Sequence, residues 1–223
     1  RMRPSSSAQQ TPTARARQGI GLTLWWGALG LGLSAALVGC ACTGGACGGG
    51  DDGCPEGASL KGAAPPEGNE QWCEKDGEGG VKHGAYQKWY PSGARREAGE
   101  YKDGEKAGEW TAWYEGGQVN WQAEYYDGVK AGPYVGFFED GKKRAEGHYE
   151  DDEMDGRWQV YHKTGKMAEE GDYVGGRKDG RWTYYNNRGR KERLVTYRDG
   201  VEKKVKEINP DGTEAKGPGE VIN

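Results

Sequence analysis

Glycines recur at a fixed interval of 24 residues, at Gly84, Gly108, Gly132, Gly156 and Gly180, and each opens a block with the same spacing of aromatic residues. A chain with a short fixed period folds as one supersecondary unit stacked on copies of itself, so neighbour contacts make its core and the surface they build makes its function. Counting each glycine as position one, position three holds Tyr86, Trp110, Tyr134, Trp158 and Trp182, and position six holds Trp89, Trp113, Phe137, Tyr161 and Tyr185. Position ten is glycine throughout, closing Pro91-Ser92-Gly93, Glu115-Gly116-Gly117, Glu139-Asp140-Gly141, Lys163-Thr164-Gly165 and Asn187-Arg188-Gly189. These are turn compositions, with glycine supplying a positive φ.

Position eighteen is tyrosine in every block: Tyr101, Tyr125, Tyr149, Tyr173 and Tyr197. Two places earlier stand Gly99, Ala123, Gly147, Gly171 and Val195. Residues two apart on a strand share a face, so a small residue there leaves room for a ring from the neighbouring strand to lie across the backbone. A second turn falls at Asp103-Gly104, Asp127-Gly128, Gly175-Gly176 and Asp199-Gly200, with Asp152 breaking the pattern in the third block. Each block therefore reads as a hairpin with strands at positions two to seven and eleven to eighteen, and five blocks make one antiparallel sheet. Positions three and six have opposite strand parity, which predicts aromatic rings on both faces. A helix is excluded by the absence of three- and four-residue apolar spacing and by the density of glycine.

The pattern Gly-x-Trp-x-x-Tyr/Trp-Tyr-x-x-Gly, followed by Tyr-x-x-Gly, resembles the MORN (membrane occupation and recognition nexus) repeat, and more closely its bacterial variant. Gly108 to Ala131, GEWTAWYEGGQVNWQAEYYDGVKA, is the clearest copy, and the resemblance covers Gly84 to Lys203. It implies an all-β, elongated array of antiparallel hairpins acting as a binding or scaffolding module. The variant's mid-repeat glutamate stands at Glu97 and Glu169, whereas Trp121, Ala145 and Arg193 occupy the equivalent places. The expected repeats are 84–107, 108–131, 132–155, 156–179 and 180–203, with a partial cap at 72–83 and a degenerate one at 204–223.

The first 39 residues read differently. Arg1, Arg3, Arg15 and Arg17 precede an apolar run from Ile20 to Val38, which is a signal-peptide layout. Leu37-Val38-Gly39-Cys40 resembles a lipobox, which implies cleavage before Cys40 and acylation of that cysteine; two or more chains anchor stably to a membrane. An uncleaved transmembrane anchor is the alternative, and either reading places the repeats outside the cytoplasm. Ala41 after the cysteine favours outer-membrane over inner-membrane sorting in a Gram-negative cell. Residues 40–71, rich in glycine, alanine and proline, read as a tether. Cys42, Cys47, Cys54 and Cys73 then remain in an oxidising setting, enough for two disulfides in any of three pairings. Their spacing lacks the paired Cys-x-x-Cys of a zinc site.

Leucine, isoleucine, valine and phenylalanine are scarce, so tyrosine and tryptophan must supply the buried area. The net charge of −4 hides an acidic third block (Glu139 to Asp155) and a basic fifth block (Arg181 to Lys203), a polarity able to orient a partner or drive contacts between copies. No uniform basic strip supports nucleic-acid binding. Ser59 and Ser92 are the serines after Cys40, and His83, His148 and His162 fall at unrelated repeat positions, so no nucleophile and base are paired by pattern and no enzyme is expected. The run Asp151-Asp152-Glu153-Met154-Asp155-Gly156 has calcium-loop acids, but His162 stands where a bidentate glutamate is needed, so neither metal nor cofactor is expected.

The expected function is therefore a non-enzymatic, lipid-tethered interaction module for another envelope protein. Cell-wall glycan, phospholipid, or an inhibitor's target protein are the competing ligands. Tyr90, Tyr114 and Phe138, at position seven, are the candidate binding groups, with a core role as the competing reading.

Overall fold

The computed structural model describes residues 52–215, and these form one open sheet of thirteen strands in sequence order, every neighbour antiparallel. The order is β1 Ala58–Ala63, β2 Glu70–Lys75, β3 Lys82–Trp89, β4 Arg95–Lys102, β5 Glu105–Trp113, β6 Val119–Tyr126 and β7 Val129–Phe137. It continues through β8 Lys143–Glu150, β9 Glu153–Tyr161, β10 Met167–Val174, β11 Arg177–Tyr185, β12 Lys191–Arg198 and β13 Val201–Glu207. The all-β hairpin array anticipated from the 24-residue period is what folds.

Two turn types alternate along the sheet. The first-turn edge carries the position-ten glycines, all at φ between 80° and 89°, each donating its N–H to the carbonyl at position seven, as Gly93 does to Tyr90 at 2.9 Å. On the opposite, second-turn edge, two-residue turns have positive φ at both centres, as at Asp103 (53°) and Gly104 (90°). That is the twist-matched hairpin turn, and it explains the Asp-Gly pairs. In the third block Asp152 adopts φ 65° where glycine stands elsewhere, and its carboxylate accepts the Lys130 N–H at 2.9 Å.

Strand boundaries differ from the sequence expectation. First strands begin two or three residues before the block glycine and end at position six, so Gly84 and Gly108 are strand-interior residues and Tyr90, Tyr114 and Phe138 fall beyond the strand ends. Second strands run from position twelve to nineteen. A register shift between positions five and six, as at Lys88/Trp89, places the extra residue on the returning strand.

The N-terminal boundary also moves. Residues 40–71, expected to be tether, contain β1 and the start of β2, and the expected cap at 72–83 is the second half of a complete hairpin. Cys54 bonds to Cys73 with a Cα separation of 5.6 Å and both are buried, which pins the approach to β1 against the sheet. Of the cysteines expected to form disulfides, Cys42 and Cys47 lie outside the described residues, as do Cys40, expected to be acylated, and the segment expected to be a signal peptide. At the other end β13 crosses the expected boundary at residue 203, and an Ile208–Glu214 bridge folds the chain back beside it.

Buried apolar residues gather on one face: Tyr86, Trp110, Ala112, Ala123, Trp158, Trp182, Val195 and Tyr197. A single-layer sheet has no second layer to pack on, so its rings pack on one another.

Candidate functional site

On that face the rings of positions three and eighteen form a ladder. Tyr101 meets Trp110 edge-on at 5.1 Å, Tyr149 meets Trp158 at 5.2 Å and Tyr173 meets Trp182 at 5.0 Å, geometries that set a ring's positive edge against its neighbour's negative face. Each tryptophan crosses the position-sixteen glycine of the preceding block. A Cβ built on Gly99, Gly147 or Gly171 would stand 2.3 to 2.4 Å from the indole of Trp110, Trp158 or Trp182. The indole N–H then donates to the next carbonyl, Glu100 at 3.1 Å, His148 at 3.0 Å and Asp172 at 3.0 Å. Where position sixteen is Ala123, the ring opposite is Tyr134, which makes no such bond. The expected room beside the tyrosine is thus filled by an indole.

The ladder carries a column of cations that the sequence reading missed. Lys82, Lys106, Lys130 and Lys178 sit two residues before the block glycines, with Met154 at the equivalent place. Lys106 Nζ lies 3.7 Å from the Trp110 ring centroid and 2.7 Å from a Glu97 oxygen; Lys178 Nζ lies 3.8 Å from Trp182 and 2.7 Å from Glu169. Burial alone would lower the Lys178 pKa, but hydrogen bonds to Glu169 and Tyr184 outweigh it and the pKa is raised. Lys82 bonds Glu70 at 2.8 Å and holds that carboxyl below its ordinary range. The mid-repeat glutamate is therefore a lysine partner. Block by block the pair reads Glu97/Lys106, Trp121/Lys130, Ala145/Met154, Glu169/Lys178 and Arg193/Glu202, so both charges are lost together in the third block and reversed together in the fifth, while Lys130 stays without the acid.

Position seven clips successive blocks together. Tyr90 Oη donates to the Trp113 carbonyl at 2.9 Å, Tyr114 Oη to the Phe137 carbonyl at 2.8 Å, and His162 Nε2 lies 2.8 Å from the Tyr185 carbonyl. Phe138 holds the same place without a hydroxyl. All three candidate binding rings are half-buried. Their polar ends, where they have one, are committed within the sheet, while Tyr90, and His162 at the same position, also line hollows between blocks.

Two such hollows stand at equivalent positions three blocks apart. One of 230 Å³ is lined by Tyr90, Arg96, Glu97, Ala112, Asn120 and Trp121. The other, of 480 Å³, is lined by His162, Glu169, Tyr184, Glu192 and Arg193. The repeat thus builds one concavity and varies its wall: indole at Trp121, a guanidinium at Arg193 stacked 4.6 Å from the Tyr184 ring. Trp121 and Arg193 had stood out only as departures from the glutamate pattern.

Position-six rings face the other way, as their parity required. Tyr161 Oη donates to Glu146, and Tyr185 Oη to Glu170 at 2.5 Å, both carboxylates belonging to the face opposite the ladder. Burial, then these carboxylates, push both phenols up to about 12. Arg95 stacks 5.3 Å from the Trp113 ring. Half-buried indoles concentrate early in the array, at Trp72, Trp89, Trp113 and Trp121, whereas Trp158 and Trp182 are fully enclosed.

The residues weighed for catalysis stay apart. Ser92 lies in a first turn, His83 faces Asp103 at 3.2 Å, His148 is exposed, and His162 is held by the Tyr185 carbonyl. Asp151-Asp152 form a hairpin turn, with Glu150 and Glu153 paired across it.

Fold and site together define an open hairpin-repeat sheet with recurring inter-repeat hollows. The family model described as MORN repeat variant matches residues 82–103, 130–151 and 154–174, each match opening two residues before a block glycine, within one residue of the observed strand start. These matches support a MORN-repeat protein, and such repeats commonly serve as protein- or membrane-interaction modules. The block from Gly108, the clearest copy by eye, lies between the matched segments. No curated protein matches the chain.

Proposed function

We propose that the chain is a non-enzymatic interaction module, exported and lipid-anchored through Cys40, whose repeat sheet binds another protein of the cell envelope. The observation that carries this reading is the recurring hollow, lined by half-buried aromatic and charged side chains on a rigid ladder. Tryptophan, tyrosine and arginine are the residues that dominate protein–protein binding energy, and here they stand half-exposed beside backbone that cannot move without breaking ring contacts. Export rests on the arginine-flanked apolar run and the lipobox resemblance, and outer-membrane sorting on Ala41.

The test is affinity capture from an envelope extract with the full chain as bait, run beside the Trp121→Ala and Arg193→Ala variants. A single protein retained stoichiometrically by the wild type and lost from a folded variant supports the reading. Co-sedimentation with purified cell wall alone would replace it with glycan binding, for which the Trp89 and Trp113 rings on the opposite face offer stacking surfaces. Cys40→Ala is expected to release the protein from the membrane fraction; retention would mean an uncleaved anchor.

A further inference from the structure

In the sheet the acids of the third block divide between the two long edges, Glu139 and Asp140 in its first turn and Glu150 to Glu153 around its second, while the first turns of the last two blocks are basic. The first-turn edge of the last two blocks carries Lys163, Lys166, Arg188, Arg190 and Lys191, all exposed; the two adjacent turns contain no carboxylate, and Glu192 is the exposed acid that follows Lys191 in β12. None of these five has an ion pair or ring partner among the described residues. The second-turn edge of the first three blocks carries Glu105, Asp127, Glu150, Asp151 and Glu153, also exposed and free of ion pairs among the described residues. On that edge Lys102 stands opposite Glu105, Lys75 is paired with Asp103 and Lys106 with Glu97, and Lys130 is turned onto the Tyr149 ring, 5.0 Å from its centroid.

Both edges inherit one spacing. Successive turns on either edge are two strands apart, about 10 Å at ~4.8 Å per strand, because the same hairpin generates both. Cations and carboxylates on two sheets laid side by side therefore fall into step. We propose that the basic first-turn edge of blocks four and five docks on the acidic second-turn edge of blocks one to three of a second copy of this chain. The two edges face opposite ways, so a simple sideways translation with an offset along the sheet brings them together. Different patches meet in that contact, which makes it heterologous and open-ended: each added copy presents a fresh edge. Charge pairs of this kind set register and association rate, and salt weakens them.

The full chain is examined by sedimentation velocity at about 0.01 M and about 1 M salt, where the screening length falls from ~30 Å to ~3 Å. The wild type should grow with concentration past the dimer at low salt and be monomeric at high salt. Two variants separate the edges: Lys163→Glu with Arg188→Glu and Arg190→Glu, and Glu105→Lys with Glu150→Lys and Glu153→Lys. All six positions are exposed, and far-UV spectra check the fold. Each variant alone should remain monomeric at low salt. An equimolar mixture should associate again at low salt, since the native basic edge of one variant then meets the native acidic edge of the other, and the two reversed edges are complementary as well. A wild type that stays monomeric at low salt overturns the proposal, as does association that survives both reversals. Binding of the wild type to anionic phosphatidylglycerol vesicles without self-association would overturn it too, in favour of a lipid role for the basic edge.

Discussion

Gly171 lies beneath the Trp182 indole so closely that a Cβ on the glycine would stand 2.3 Å from the ring, and the same indole donates to the Asp172 carbonyl one residue on. Gly171→Ala must push the ring off its seat and lengthen that bond. The expected loss is about 1–3 kcal/mol, the range for overpacking a filled site, measured by urea unfolding. Gly147→Ala beneath Trp158 should behave alike.

The Glu169–Lys178 pair predicts a coupling that neither residue shows alone. Lys178→Met leaves a half-buried carboxylate against aromatic rings, whereas Glu169→Ala with Lys178→Met copies the Ala145/Met154 pair already present one block earlier. A double-mutant cycle should return a favourable interaction of about 0.5–3 kcal/mol. A value indistinguishable from zero would mean that solvent screens the pair.

Alkali should unfold the sheet. Burial raises the phenol pKa of Tyr125, Tyr161 and Tyr185 to about 12, while the unfolded value is about 10. For groups held neutral by the fold, stability is complete below pH ~10 and falls as pH rises toward 12. Tyrosinate absorbance during a pH titration should therefore rise late, together with loss of the β-sheet circular dichroism.

Reducing the Cys54–Cys73 bond should loosen one end. The bond spans 19 residues, for which loop-closure entropy gives about 3 kcal/mol. In a stack where each unit touches only its neighbours, that loss stays local. Hydrogen exchange is expected to accelerate in β1 and β2 and to stay unchanged in β9 to β12; uniform acceleration would show that the array unfolds as one unit.

Tyr114→Phe tests the clip between blocks. Losing the bond to the Phe137 carbonyl should cost about 1 kcal/mol while sparing the hollow's shape, so thermal stability falls and partner capture persists. The Phe138 block already lacks this bond, so Phe138→Tyr is the converse test and should stabilise.

Much of this architecture was legible because the period is strict: glycine at position ten fixes one turn, Asp-Gly the other, and glycine at position sixteen foretold a crossing ring. Strand starts were not legible, because a block glycine at positive φ reads as a boundary although Gly84 and Gly108 sit inside strands, where β-bulges absorb them. The lysine column was hidden by falling at the end of one block while acting on the rings of the next. β1 escaped notice because Ala58 to Ala63 shows neither alternation nor the aromatic spacing, and its hairpin depends on a disulfide that the sequence left unpaired. The hollows were hidden for a different reason: their walls come from positions seven, fourteen and five of two blocks, which only strand pairing brings together.

The seating of each indole on the preceding block's glycine also restricts how such a gene can gain or lose units. Excising residues 156–179 would set Gly147 under Trp182, a junction with the same fit as those on either side. Excising residues 132–155 would set the Ala123 methyl under Trp158, where no space exists. Blocks that look interchangeable by length thus carry mating ends, and an array of this kind can shorten or lengthen only at junctions whose glycine and tryptophan match.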